Sequence, residues 1–138
     1  MRIENRKKGA TVMCASWVAI VIISTIYFIL TGFDATLVIV LLTDTIMVVI
    51  GIPVYMGHIG ILAGFNTMSE KELAEYNIPK ITSFVGIFFV LTALVSFLAT
   101  FIAFVISGPH DAFAVFFIVF LVMLLFTAIF PSSKRFKV

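Results

Sequence analysis

Residues 81–106, ITSFVGIFFVLTALVSFLATFIAFVI, contain no charged side chain, no side-chain amide, no histidine and no proline. At a rise of about 1.5 Å per residue, a helix of this length exceeds the roughly 30 Å hydrocarbon core of a bilayer. The run is apolar on every face, so the alternation of a barrel strand is absent. Backbone groups in lipid must be satisfied inside the segment, and a single stretch achieves that only as a helix. The stretch carries its own packing pattern. Ser83, Gly86, Ala93, Ser96, Thr100, Ala103 and, just beyond, Ser107 recur at spacings of three, four or seven. Phe84, Phe88, Phe97 and Phe101 crowd another side. The small stripe is expected to pack on partner helices and the Phe side to meet lipid or the bundle core. A water path lined by the hydroxyls is the alternative.

Three further apolar runs flank this one, at about 10–30, 36–62 and 112–130. Each is long enough to span. Of the 138 residues, 62% are hydrophobic and 12% charged, against roughly 45–50% and about 25% in soluble domains. A soluble chain this small cannot hide so much apolar surface. The expected fold is all-α: a single membrane domain over 1–138, a four-helix up-down bundle. The turns at 31–35 and 107–111 are short and contain glycine, which makes sequential helices antiparallel neighbours. The basic start resembles a signal-peptide n-region, but the apolar run behind it is too long and no small-x-small site closes it, so a retained helix is expected. Cys14, the lone cysteine, rules out an intrachain disulfide and is expected to be a small buried hydrophobe.

Lys and Arg set the orientation. Arg2, Arg6, Lys7 and Lys8 precede the first span, Lys71 and Lys80 lie between the second and third, and Lys134, Arg135 and Lys137 follow the fourth. All nine fall on one side of a four-span arrangement. The positive-inside rule then puts both termini and the middle loop in the cytoplasm, with the chain in the cytoplasmic membrane. The basic tail is expected to anchor at anionic headgroups. The cations are dispersed along a membrane boundary, so no nucleic-acid surface is expected.

Polar residues inside the spans are the first candidates for chemistry. Asp44 lies about 12 Å along the helix from the outer end of the second span. Such a carboxylate serves as a proton or cation ligand with Thr43, Thr45 or polar groups of other helices, or it lies near the interface, or it stays protonated and bonds a neighbouring helix. On a continuous second helix His58 shares a face with Asp44, Gly51 and Tyr55, about 21 Å from Asp44. It is expected to be an interfacial or inter-helix hydrogen-bond partner. Pro53 should kink that helix in mid-span. Gly57, Gly60 and Gly64 follow, with Gly60 and Gly64 at the small-xxx-small spacing, and Gly57 and Gly60 join Gly86, Ala93, Ser96 and Thr100 as expected helix-packing positions. The scattered carboxylates lack metal-ligand spacing, so no metal and no cofactor is expected. The fourth span, rich in Phe and without ionisable residues, reads as a lipid-facing packing helix.

The middle loop is the most distinctive polar stretch. Ser69-Glu70-Lys71-Glu72 has the form of a capping box, which starts a short helix at about 70–76, and Pro79 suits the first turn of the next span. Leu73 and Tyr76 can rest on the membrane interface. Ahead of the box lie Gly64, Phe65, Asn66, Thr67 and Met68. With Ser69 they form a Gly-aromatic-Asn-Thr-Met-Ser segment that resembles a family of small bacterial and archaeal membrane proteins catalogued as domain of unknown function 3784. Lys71, Glu72, Tyr76 and Phe84-Val85-Gly86 extend the likeness, which runs from about residue 57 to the end. The resemblance implies a fold and a motif position, with the first helix as an addition, and assigns no activity. A fainter similarity is to membrane immunity proteins against a sporulation-delaying peptide toxin. Those carry a basic residue where this chain has Asn66, and a loop Trp that it lacks.

No nucleophile–base pair or phosphate-binding loop is visible, so an enzyme is not expected. The expected role is a structural or accessory subunit, with residues 64–69 as contact surface and the lipid bilayer, a larger membrane complex or a homo-oligomer as partners. An oligomeric transporter or channel using Asp44, and a signalling or toxin-immunity protein, are the alternatives.

Overall fold

The computed structural model describes residues 3–62, 64–130 and 136–138. Arg2, Lys134 and Arg135, three of the nine cations that set the expected orientation, lie outside them, as does Ala63 between Gly60 and Gly64. Four long helices carry the fold: α1 (Ile3–Thr31), α2 (Ala35–Tyr55), α4 (Ile78–Ser107) and α5 (Pro109–Ile129), with a single-turn α3 (Glu70–Leu73) between α2 and α4. All four are long and apolar enough to cross a membrane. The all-α four-helix membrane bundle expected from composition is the fold observed.

Helix ends follow local chemistry. Asp34 caps α2, its Oδ1 accepting from the amides of Thr36 at 2.8 Å and Leu37 at 3.3 Å. Gly108, at φ +91°, is the single residue between α4 and α5. Consecutive long helices run antiparallel, and α4 lies at the centre. It packs along α2 on one side and α5 on another, while α1 touches α2 more sparsely. The core is an apolar cluster around Val40, Met47, Val48, Ala93, Phe97 and Phe116, with Trp17 from α1. Phe84 stacks on Phe130 at 5.0 Å and Phe88 on Phe126 at 5.4 Å, an aromatic ladder joining α4 to α5. The outward faces remain apolar (Ile22, Ile46, Leu98 and Leu121 among them), as a lipid-facing perimeter requires. Cys14, expected to be buried, is on that perimeter.

The second helix departs from expectation. It stops at Tyr55 instead of continuing to 62, and Pro53 occupies its last turn, not its middle. Gly57 adopts φ +113°, which turns the chain out of the helix at a conformation open to glycine. The amide and Nδ1 of His58 both approach the Pro53 carbonyl, at 3.1 and 3.0 Å. A 3₁₀ turn follows at Ile59–Ile61. Gly57, Gly60 and Gly64 therefore share no helix face, and a Cβ at Gly60 or Gly64 meets nothing within 4 Å. The helix-packing role expected of Gly57 and Gly60 is not realised. His58 is exposed, off the helix, and on no common face with Asp44.

Candidate functional site

Two polar features lie on this frame: a buried seam between α2 and α4, and a structured cap at the end that carries the loop.

The seam begins where backbones touch. A Cβ on Gly86 would overlap the Tyr55 backbone, and one on Gly51 would lie 2.8 Å from Phe89 Cβ and 3.1 Å from the Gly86 carbonyl. That close approach brings polar side chains together deeper in the membrane. Asp44 is fully buried, and Ser96 Oγ donates to its Oδ1 at 2.6 Å. Oδ2 has no hydrogen-bond partner. Ala93, Ser96 and Thr100 are all fully buried along α4, and the Thr100 hydroxyl returns to the Ser96 carbonyl at 2.6 Å. Thr43 and Thr45, which flank Asp44, turn elsewhere. Their hydroxyls bond the Ile39 and Leu41 carbonyls of their own helix, and Trp17 Nε1 donates to Thr45 Oγ1 at 3.0 Å.

At the loop end, a residue read from sequence only as a topogenic charge holds three helices. Arg6 is 8% exposed. Its Nη1 donates to the Tyr55 carbonyl at 3.1 Å and to Thr82 Oγ1 at 3.3 Å, and its Nη2 donates to the Pro79 carbonyl at 2.7 Å. The guanidinium thereby satisfies a carbonyl left open at the end of α2, where the helix dipole favours positive charge. The tail is integrated as well. Phe136 is 3% exposed and enters a cluster with Val54, Ile81 and Val85. Its carbonyl accepts from the Asn77 amide at 2.8 Å, the Val138 amide donates to Glu75, and Lys137 pairs with Tyr76 as an isolated bridge. Headgroup anchoring alone does not describe residues 136–138. The adjacency of Lys7 and Lys8 hid Arg6 in the sequence, whereas an aromatic inside a basic tail was the available signal for Phe136.

The 64–69 segment resolves residue by residue. Gly64 takes φ +92°, and Phe65–Thr67 form a 3₁₀ turn. Phe65 packs its ring edge against Tyr76 at 5.6 Å and joins the Phe136 cluster. Thr67 Oγ1 donates to the Gly64 carbonyl at 3.2 Å, closing the turn. Met68 is half-buried. Ser69 completes the capping box: its amide and hydroxyl donate to Glu72 Oε2 at 2.7 and 2.8 Å, and its Oγ accepts from the Glu72 amide. The Ser69 amide, with its hydroxyl second, holds the Glu72 carboxyl below its ordinary value. The helix so started is shorter than expected, ending at Leu73. Asn66 is exposed, and no local hydrogen bond accounts for it.

Among the described residues, no three His, Cys, Asp or Glu side chains come together in a way that could hold a metal ion. Among the described residues, grooves of about 400–440 Å³ open beside Phe89, Arg6 and His110, and Asp44 lines none of these.

Residues 37–135 match the family described as Domain of unknown function (DUF3784). The chain belongs to this family. The DUF3784 match starts within the first turn of α2, earlier than the resemblance from about residue 57, and it leaves α1 outside. No curated protein and no solved structure matches the chain.

Proposed function

We propose that this DUF3784 member is a non-enzymatic accessory subunit of a larger assembly in the cytoplasmic membrane. Both termini face the cytoplasm, and the 64–69 segment is its contact surface. One observation carries the reading. Gly64, Phe65, Thr67 and Ser69 each have a local structural task, and together they hold Asn66 exposed on an ordered turn. An amide offers both donors and an acceptor, and a pre-ordered turn loses little entropy on docking. The test is affinity purification from native membranes. Asn66→Ala should reduce a stoichiometric partner on the order of tenfold, the effect of losing one good contact, with the helical circular dichroism unchanged. A partner retained in full would overturn the assignment.

A second reading, an oligomeric proton- or cation-conducting protein, is favoured by the unpartnered Oδ2 of Asp44 in a membrane seam. Asp44→Asn keeps the shape and removes the titratable group. Uptake into proteoliposomes that the variant abolishes would support this reading, and uptake that it leaves intact would remove it.

A further inference from the structure

The Arg6 guanidinium is buried, yet every acceptor it bonds is neutral: two backbone carbonyls and one hydroxyl. Guanidinium carries five N–H donors and cannot be deprotonated in a protein. Among the described residues, the only ion pair is the exposed Lys8–Glu4 contact on α1. A buried cation without an anion is an unfavourable arrangement that a bound anion relieves.

A groove of about 440 Å³ opens beside it. Its lining combines Arg6, Lys80, Asn77 and Ser83 with the apolar Pro79, Phe84 and Ile87. The order along α4 matters. Asn77 and Lys80 stand at the start of the helix, and Ile87 is seven residues further on, about 10 Å deeper into the bilayer. Lys80, which lines the groove, holds its Nζ 5.3 Å from the centroid of the buried Phe136 ring, a cation–π contact. Two cations and two polar side chains therefore sit where headgroups lie, above an apolar floor at acyl-chain depth.

We propose that this groove is a binding site for an anionic phospholipid of the leaflet at the loop end. The phosphodiester lies between Arg6 and Lys80, and the first acyl methylenes run over Phe84 and Ile87. Basic recesses between membrane helices recognise anionic headgroups by this combination of charge and depth. A free phosphate uses the charges and gains nothing from the floor, whereas a zwitterionic lipid covers the floor but brings a headgroup cation that offsets its phosphodiester beside Arg6 and Lys80, so the sources are separable.

The test uses the full chain in detergent, offered phosphatidylglycerol, phosphatidylcholine or inorganic phosphate. Retention is read by native mass spectrometry and stability by circular dichroism melting. Phosphatidylglycerol should be retained about tenfold over phosphatidylcholine and should raise the melting temperature. Lys80→Gln should erase that preference. Ile87→Trp keeps every charge and fills the floor, and it should also lower retention of phosphatidylglycerol, which keeps the test decisive if Lys80→Gln fails to fold. Equal retention of the two lipids, the same stabilisation from inorganic phosphate, or undiminished retention in Ile87→Trp would each overturn the proposal.

Discussion

The α2–α4 seam and the attachment of α1 solve the same problem in opposite ways. Lipid tails are as apolar as leucine, so burial alone does not bring membrane helices together, and close packing or hydrogen bonds must. The seam uses contact without gaps: Gly51 and Gly86 let backbone meet backbone, and Val54, Val85 and Val90 fill the flanks. Helix α1 is pegged at intervals. Arg6 bonds at one end, Trp17 reaches Thr45 and Phe97 in the middle, and Tyr27 meets Phe101 at 5.1 Å near the other end. Between the pegs contact is thinner: Ile20 and Val21 rest partly buried on the core, whereas Val18, Ile22, Ile23 and Ile26 are exposed. The family match covers the continuous seam and omits the pegged helix. A gapless interface fails as a whole when one small residue grows, whereas a pegged one loses its pegs singly.

The largest effect is therefore expected at Gly86. Gly86→Ala should destabilise by about 1–3 kcal/mol, the usual cost of overpacking, and Gly86→Leu should prevent folding. Unfolding in mixed detergent micelles, followed by circular dichroism, measures both. A neutral Gly86→Ala would break the comparison, because backbone contact would no longer be what holds the seam. Arg6→Ala comes next. It leaves the Tyr55 and Pro79 carbonyls without this partner, at about 1–3 kcal/mol for each that stays buried and unpaired, short of the complete loss of folding expected of Gly86→Leu. It should also loosen α1 without opening the seam. Trp17, the chain's single tryptophan, is 4% exposed, so brominated lipid should quench it weakly in the native chain and strongly in the variant. Thr45→Val removes only the middle peg's acceptor and should cost about 0.5–1 kcal/mol, with quenching scarcely altered.

These differences also show what a sequence exposes and what it hides. Apolar run length decided the four helices, and the stripe through Gly86, Ala93, Ser96 and Thr100 marked a face that is buried in the structure, because periodicity is a local property. The end of α2 is not legible in hydropathy, which continues to residue 62, while the helix stops where Gly57 takes a positive φ and the Pro53 carbonyl is claimed by His58. Hydropathy does not see a dihedral angle. Arg6 was illegible for another reason: its acceptors, Tyr55, Pro79 and Thr82, lie 49 to 76 residues away. Asp44 was visible as a buried acid, but its pairing with Ser96, 52 residues on, needed the helix register that only the packed bundle supplies.

The smallest effect sharpens the comparison by sparing both interfaces. Glu72 is fully exposed at the loop end, and its carboxylate holds the amide and hydroxyl of Ser69. Its value when folded is lower than the ordinary 4.5. The contribution of the cap is thus complete above that ordinary value and is lost as pH falls through the lower folded one. Acidification should release the Ser69 amide and fray α3 first, seen as a shift of the Ser69 and Glu72 amide resonances in micelles. Glu72→Gln should abolish the pH dependence while keeping part of the hydrogen bonding, since a capping box accepts Gln at this position. Trp17 quenching should stay constant through the transition, because neither Arg6 nor the glycine seam touches Glu72. Quenching that rises with the loss of the cap would join the loop to α1 and erase the distinction between a seam and a set of independent pegs.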